Sequence, residues 1–439
     1  MTTTTHLLRS RRFVPLFVTQ LLNAFNDNLF KNAMVLFVVY GVYNSEQEEA
    51  WFSALATALV LIPFVVLSAL AGQLADMRDK AKIIRIVKAC EIGIMAVGAA
   101  GLLMAWQGIM IHTVAIPLMC AALFGMGTHS TFLGPIKYSI LPQHLHPDEV
   151  LAGTGLVEAG TYVAILAGTI IAGWIPVEWS AAIVMVTALV GYAASRQVPP
   201  APPLDPPERL DLHPIMAPYR LIRDTLRDRR VFLAIMAISF FWTIGAVLFI
   251  QFPPLAKNVL SASKEVASLF LVMFSIGIAL GSVSVNALLK GTVSARYSPV
   301  SVLVMMGFVF AFWFVCIQWP HHDALMDTAT FIAQPLAIPL LLSLLGIATA
   351  GGMFVVPLYA FLTTFVDKSH TSRTIAANNI VNSGAMVLGS IIAGGLSWLG
   401  IPLVHQLLLG AVMCLYSAYR ARALVNAERS GAPSSVLLD

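Results

Sequence analysis

Residues 23–31, NAFNDNLFK, place a carboxylate (Asp27), an ammonium (Lys31) and three amides (Asn23, Asn26, Asn28) inside an otherwise apolar stretch. Asp27 lies about 15 residues into that stretch, or ~22 Å along a helix rising 1.5 Å per residue. Lys31 is four residues on and therefore on the same helical face. A carboxylate in such surroundings can take a proton, hold a cation or accept hydrogen bonds from a ligand's polar head. It can equally be neutralised by Lys31 in a self-contained pair that pins the helix. Both readings are open from the spacing alone. An ionised side chain at mid-bilayer costs at least ~2.5 kcal/mol, so in a lipid-embedded chain the cluster must face protein or water.

Other charged residues interrupt apolar stretches in the same way. GPIKYSILP (134–142) places Lys137 just after Gly134 and Pro135, which loosen the helix. Lys137 can snorkel to the surface or meet an anionic group. GLVEAGT (155–161) puts Glu158 roughly ten residues into the next stretch, where it would find a structural partner, a polar substrate or a proton. Lys88 and Glu91 form an i,i+3 pair that reads as structural. SFFWTIGAVLFIQFPP (239–254) carries Trp242 and Gln251 and ends in two prolines. Aromatics at helical spacing more often pack than bind, yet apolar lining with isolated polar groups is what an amphiphile's path needs.

GQLADMRDKAK (72–82) lies in a connection. Gly72 permits close helix approach, Asp76 can accept backbone and Arg hydrogen bonds, and Arg78 and Lys80 supply positive charge. The motif reads as a conformational latch or as an ordinary basic turn. The remaining patterns are weak. His322 and Asp327 form an HxxxxD spacing in a short loop with no globular domain around it, and His144 and His146 lack Cys or acidic partners for a metal. There is no GxxxxGK[ST] to cradle ATP.

The elements that position these residues follow from where charge is missing. Of 439 residues, 58% are hydrophobic and mean hydropathy is +0.82, against ~45–50% apolar in soluble domains. Apolar stretches near 13–42, 51–75, 83–107, 113–141, 149–174, 178–195, 231–256, 265–289, 299–319, 335–365, 374–398 and 401–420 predict twelve membrane-spanning helices. The four cysteines fall inside these stretches without a CxxC pair, so no disulfide framework is indicated. The start, MTTTTHLLRSRR, lacks a signal-cleavage pattern. Of the 26 Lys and Arg, 21 fall on one side of the alternating topology, which places both termini and the central loop in the cytoplasm.

The chain divides at SRQVPPAPPLDPPERLDLHP, too Pro-rich for a continuous helix, followed by the basic amphipathic PYRLIRDTLRDRR. The expected organisation is an N-terminal six-helix bundle (1–195), a cytoplasmic linker (196–230) and a C-terminal six-helix bundle (231–439). The halves repeat. AGTGLVEAGT (152–161) aligns with AANNIVNSGA (376–385), GTIIAG (168–173) with GSIIAG (389–394) and Pro135 with Pro357, at offsets of 221–224 residues. Asn382 is therefore the mate of Glu158. The repeat is parallel, as in the two halves of major facilitator transporters. The expected fold is an all-α membrane protein of twelve transmembrane helices in two pseudo-symmetric bundles.

FNDN, GPIKYSILP, AGTGLVEAGT and GSIIAG together resemble the bacterial lysophospholipid transporter family, a branch of the major facilitator superfamily that includes the transporter part of acyltransferase-fused phospholipid repair proteins. The resemblance spans essentially the whole chain and is strongest over 13–175. The loop at 72–82 resembles the superfamily's loop motif, with Asp79 where Gly is usual. The family pattern FWGxGxxxR has Phe249 at its Arg position here. The resemblance implies secondary transport of lysophospholipids, such as lysophosphatidylethanolamine, across the bacterial inner membrane towards the cytoplasmic face. A separate acyltransferase partner would then restore the second acyl chain. It carries over Asp27, Lys137 and Glu158 as polar-cavity residues. With Asn23, Lys31, Trp242 and Gln251 these make the expected substrate set, and Gly72, Asp76, Arg78 and Lys80 the expected latch. No catalytic residue, cofactor, metal or nucleic-acid partner is expected, and the chain should act as a monomer among membrane lipids. A proton-coupled exporter of small drugs or metabolites, with Asp27 or Glu158 carrying the proton, is the alternative. A non-transporting scaffold for a repair acyltransferase is a third.

Overall fold

The computed structural model describes residues 3–42, 46–204, 210–213, 215–320 and 324–429. Lipid offers the backbone no hydrogen bonds, so every crossing segment must satisfy its own N–H and C=O groups, and the chain does so with helices. Among the described residues the long helices are α1 (Val14–Gly41), α2 (Glu46–Met77), α3 (Lys80–Trp106), α4 (Ile116–Ser139), α5 (Val150–Trp174) and α6 (Val177–Ser195). After the short α7 (Met216–Thr225) come α8 (Arg229–Asn258), α9 (Lys264–Leu289), α10 (Ser298–Ile317), α11 (Ala337–Thr364), α12 (Thr371–Trp398) and α13 (Leu403–Arg429). Eleven of them are long and apolar enough to cross a membrane. The exception is α1, 28 residues long, whose apolar run is broken by Asn23, Asn26, Asp27, Asn28, Lys31 and Asn32.

Helix ends follow local chemistry. Pro15, Pro117 and Pro299 open α1, α4 and α10, where a missing N–H costs nothing. Asp79 caps α3 by accepting from the Ala81 N–H at 2.9 Å, and Asp228 caps α8 through Arg230 N–H at 2.8 Å. Three details differ from the sequence reading. The stretch at 113–141 is a π-helical turn (Ile111–Ala115) followed by α4, entered through Gly108 and Met110 at positive φ. Helix α8 runs on through Pro253 and Pro254 to Asn258. Helix α13 continues past 420 to Arg429, because a helix leaving the bilayer can carry basic residues into water.

The chain sorts into two compact units. Unit 1 comprises 1–149, 163–223 and 366–380, and unit 2 comprises 150–162, 224–365 and 381–439. Helices α5 and α12, the pair related by the strongest sequence repeat, are each divided between the units. Inside unit 1, α1 packs on α6, α2 on α4, and α3 on both α4 and α6. Inside unit 2, α8 packs on α13, α9 on α11, and α10 on both α11 and α13. These are the same partnerships shifted by one repeat. Small residues make the close crossings possible, since lipid provides no hydrophobic drive for helices to associate. A Cβ on Gly127 of α4 would stand 2.7 Å from the Val60 carbonyl oxygen of α2, and one on Gly281 of α9 would run into the Thr349 carbonyl oxygen of α11.

Candidate functional site

The polar residues of α1 meet those of α3 and α4 in a closed circuit inside unit 1. Asp27 Oδ2 accepts from Ser130 Oγ at 2.5 Å and from Asn23 Nδ2 at 3.2 Å. The Lys88 ammonium donates to Asn23 Oδ1 at 3.5 Å and pairs with Glu91 Oε2. His129 Nε2 lies 3.4 Å from the same Glu91 oxygen, and its Nδ1 lies 3.4 Å from Ser130 Oγ, which closes the ring. Asn26 Nδ2 donates to Glu91 Oε1 at 2.9 Å. Lys88, Glu91 and Asn26 are fully buried and His129 nearly so. Gly191 of α6 makes room for the lysine, because a Cβ there would stand 3.0 Å from Lys88 Cε.

This circuit reads several sequence expectations differently. Among the described residues Lys31 makes no ion pair with Asp27, which is held by Asn23 and Ser130 instead. Asn28 turns back onto its own helix at Ala24 O. Lys88 and Glu91 do pair, and they also join the Asp27 circuit, which their i,i+3 spacing alone does not reveal. His129 and Ser130 were missed. The signal was available, as a histidine flanked by hydroxyls in THST at 128–131 of an apolar helix. Asp27 keeps one atom unused: Oδ1 is buried and, among the described residues, accepts no hydrogen bond.

Lys137 is half-buried in the last turn of α4, its ammonium 4.9 Å from the Tyr138 ring centre. Glu158 falls in unit 2, not in the unit that holds Asp27. It is buried one turn before Tyr162, whose ring stacks on Trp242 at 6.1 Å. Trp242 Nε1 donates to Tyr359 Oη at 2.8 Å, and Asn382, the repeat mate of Glu158, donates to the same hydroxyl at 3.4 Å and accepts from Ser239 at 2.6 Å. Gln251, also in unit 2, is buried and donates to Gln406 at 2.9 Å.

The 72–82 segment meets the start of α12 within unit 1. Asp76 Oδ1 accepts the Ser372 N–H at 2.9 Å and Oδ2 accepts the Arg373 N–H at 3.0 Å. The Arg373 Nε stands 3.9 Å from the same carboxylate. Gly72 brings α2 close enough for this, since its Cβ would stand 2.7 Å from Ala376 Cβ. Lys80 is buried in the field of Asp76 and Asp79, and Arg78 is exposed. Asp79, the departure from the loop motif, caps α3 and also accepts the Ala201 N–H at 3.0 Å, so it holds the linker. The remaining weak patterns resolve locally. Asp327 caps a short turn through Thr330 N–H, and His322 lies outside the described residues. The His144 ring meets the Pro200 carbonyl at 3.4 Å, and burial lowers its basicity.

The Major Facilitator Superfamily model matches residues 16–390. The chain belongs to the Major Facilitator Superfamily. Among superfamily members, it is 26% identical over 392 residues to the lysophospholipid transporter LplT of Serratia proteamaculans, covering 87% of each chain. It is 24% identical over 404 residues to LplT of Citrobacter koseri, covering 90% of this chain and 91% of that one. The crystal structure of the human organic anion transporter MFSD10 superposes with a TM-score of 0.71 at 13% identity, covering 94% of this chain and 99% of that one. The chain is accordingly a transporter of this superfamily rather than an enzyme, and a multi-pass membrane protein. For such a protein the Asp27 circuit has a clear chemical capacity. It holds buried charge in register with hydrogen bonds and leaves one carboxylate oxygen to accept a donor from outside the circuit.

Proposed function

We propose that this superfamily member carries lysophospholipids across the bacterial inner membrane by alternating access, both termini in the cytoplasm, and delivers them to a separate acyltransferase for repair. The LplT relatives support the substrate class. The observation that carries the site is Asp27 Oδ1, a buried acceptor on a membrane helix with no donor among the described residues. An ethanolamine ammonium is a donor of the right charge for it. Lys137, two turns along α4 from Ser130, is assigned to the phosphate. Glu158, Trp242 and Gln251 are the residues of unit 2 that this reading assigns to substrate, and Asn23 and Lys31 support the α1 side. Gly72, Asp76, Arg78 and Lys80 are assigned to the latch. The chain acts as a monomer.

The test is flipping of labelled lysophosphatidylethanolamine and lysophosphatidylglycerol in reconstituted vesicles. A hydrogen bond to a charged group is worth ~1.5–3 kcal/mol, so Asp27→Asn should slow the ethanolamine lipid about 10- to 100-fold. The glycerol lipid, which has no ammonium, should lose less. Wild-type rates for both lipids in Asp27→Asn would remove the assignment, and no movement of either lipid by the wild type would remove the function.

The proton-coupled exporter has one observation in its favour. His129 bridges Glu91 and Ser130, so a histidine and the carboxylates of Glu91 and Asp27 share one continuous hydrogen-bonded circuit along which a proton could pass. Strict dependence of transport on a pH gradient would select that reading.

A further inference from the structure

The segment between the two halves of the chain is tied to unit 1 at a defined depth. Asp211 N–H donates to Gln73 Oε1 at 2.9 Å, and Gln73 Nε2 returns to Asp211 O at 3.4 Å. Upstream, Lys80 N–H donates to Ala201 O at 3.0 Å and Arg85 to Val198 O at 2.8 Å. Gln73 stands four residues before Met77, the last residue of α2, so the anchor lies about 6 Å along the helix from that end. Helix α7 begins at Met216, five residues after Asp211.

Helix α7 turns Ala217 and Pro218 inward and half-buries Leu221 and Ile222. Its outer side is both greasy and basic. Leu212 is 69% exposed, Ile215 70% and Tyr219 61%, with Met216 beside them. Arg220 and Arg223 continue the same side, also exposed. Between 210 and 230 five arginines face three aspartates. Arg220 also contacts Asp211 at 2.9 Å, which keeps the helix over its anchor. Exposed apolar side chains beside the end of an apolar span, with exposed arginines one turn further, match the layering of a leaflet whose headgroups are negative.

We propose that residues 215–223, with Leu212 before them, form a docking surface for anionic phospholipid headgroups on the leaflet that the positive-inside rule assigns to the cytoplasm. The apolar side chains enter the acyl boundary and Arg220 and Arg223 pair with lipid phosphates. Because Gln73 lies one turn from Asp76 on α2, lipid docking at α7 also steadies the helix that caps α12. This inference concerns the bilayer and stands independently of the transported substrate.

The experiment is hydrogen exchange by mass spectrometry on the full chain in nanodiscs of phosphatidylcholine alone or with phosphatidylglycerol added. One basic residue near an anionic surface is worth about a fivefold change in occupancy. Exchange of amides in 215–223 should slow by about tenfold or more when phosphatidylglycerol is present. The Arg220→Gln/Arg223→Gln variant should lose most of that difference, with exchange in α1 unchanged as the control for folding. Equal exchange in the two lipids would overturn the proposal. So would a lipid dependence that survives the double variant, since the protection would then come from packing on the protein. Protection that appears only on adding a soluble acyltransferase would overturn it too, by assigning the surface to a protein.

Discussion

The Asp76 carboxylate accepts the Ser372 N–H at 2.9 Å, across 296 residues of sequence. With the Arg373 N–H on its second oxygen, a side chain at the end of α2 caps a helix from the other half of the chain. The first N–H groups of a helix have no partners within it and carry positive partial charge, so a carboxylate is the preferred cap. Within the superfamily fold, such a cap is available only while the start of α12 remains beside α2.

That relationship predicts the behaviour of two variants. Asp76→Ala removes both acceptors and should cost about 1–2 kcal/mol at a buried cap. Gly72→Val should act similarly by driving a side chain into Ala376. Both should lower the melting temperature in detergent and slow transport in vesicles. Unchanged melting and transport in Asp76→Ala would show that the cap carries neither stability nor function.

The Lys88–Glu91 pair makes a second prediction. Both residues are fully buried, and removing one member of a buried pair leaves an uncompensated charge, at a cost of about 3–5 kcal/mol. Lys88→Met and Glu91→Gln should each destabilise strongly. The double variant should be less damaged than the sum, because it restores neutrality. Thermal melting of the four proteins measures the coupling, and additive losses would mean that the circuit is not held by this pair.

Glycine contacts allow a contrast within unit 2. Gly281→Val drives its Cβ into the Thr349 carbonyl, so backbone must move, whereas a Cβ at Gly307 meets nothing within 4 Å. Overpacking of this kind costs about 1–3 kcal/mol or more. Yield of folded protein on size exclusion should fall for Gly281→Val and hold for Gly307→Val. Equal yields would place the α9–α11 crossing outside the determinants of folding.

The twelve helices and the repeat were legible because hydrocarbon punishes charge. A chain that must cross lipid writes its spans as gaps in the charge pattern, and duplicated helices keep duplicated small residues. Asp27 was legible for the same reason, as the carboxylate that breaks the apolar run of α1. Gly72 and Asp76 stood out as a recognisable loop, although their partner on α12 did not.

Local spacing suggested Lys31 as the neighbour of Asp27 because i,i+4 residues share a face, yet the hydrogen bonds run to Asn23 and, across to α4, to Ser130. Lys88 and Glu91 looked like a private pair, and only the packing of α1, α3 and α4 makes them part of a ring with Asn23, Asn26 and His129. Spacing along one helix says which residues share its surface, and solvent says which surfaces must be hidden. Partners 65 and 103 residues apart are chosen by helix rotation and register, which depend on how small residues let the helices approach. The sequence alone therefore determined that charge is buried in this membrane protein and on which helices. Tertiary packing decided which charges meet, because a buried group is satisfied by whatever its neighbouring helix presents at that depth.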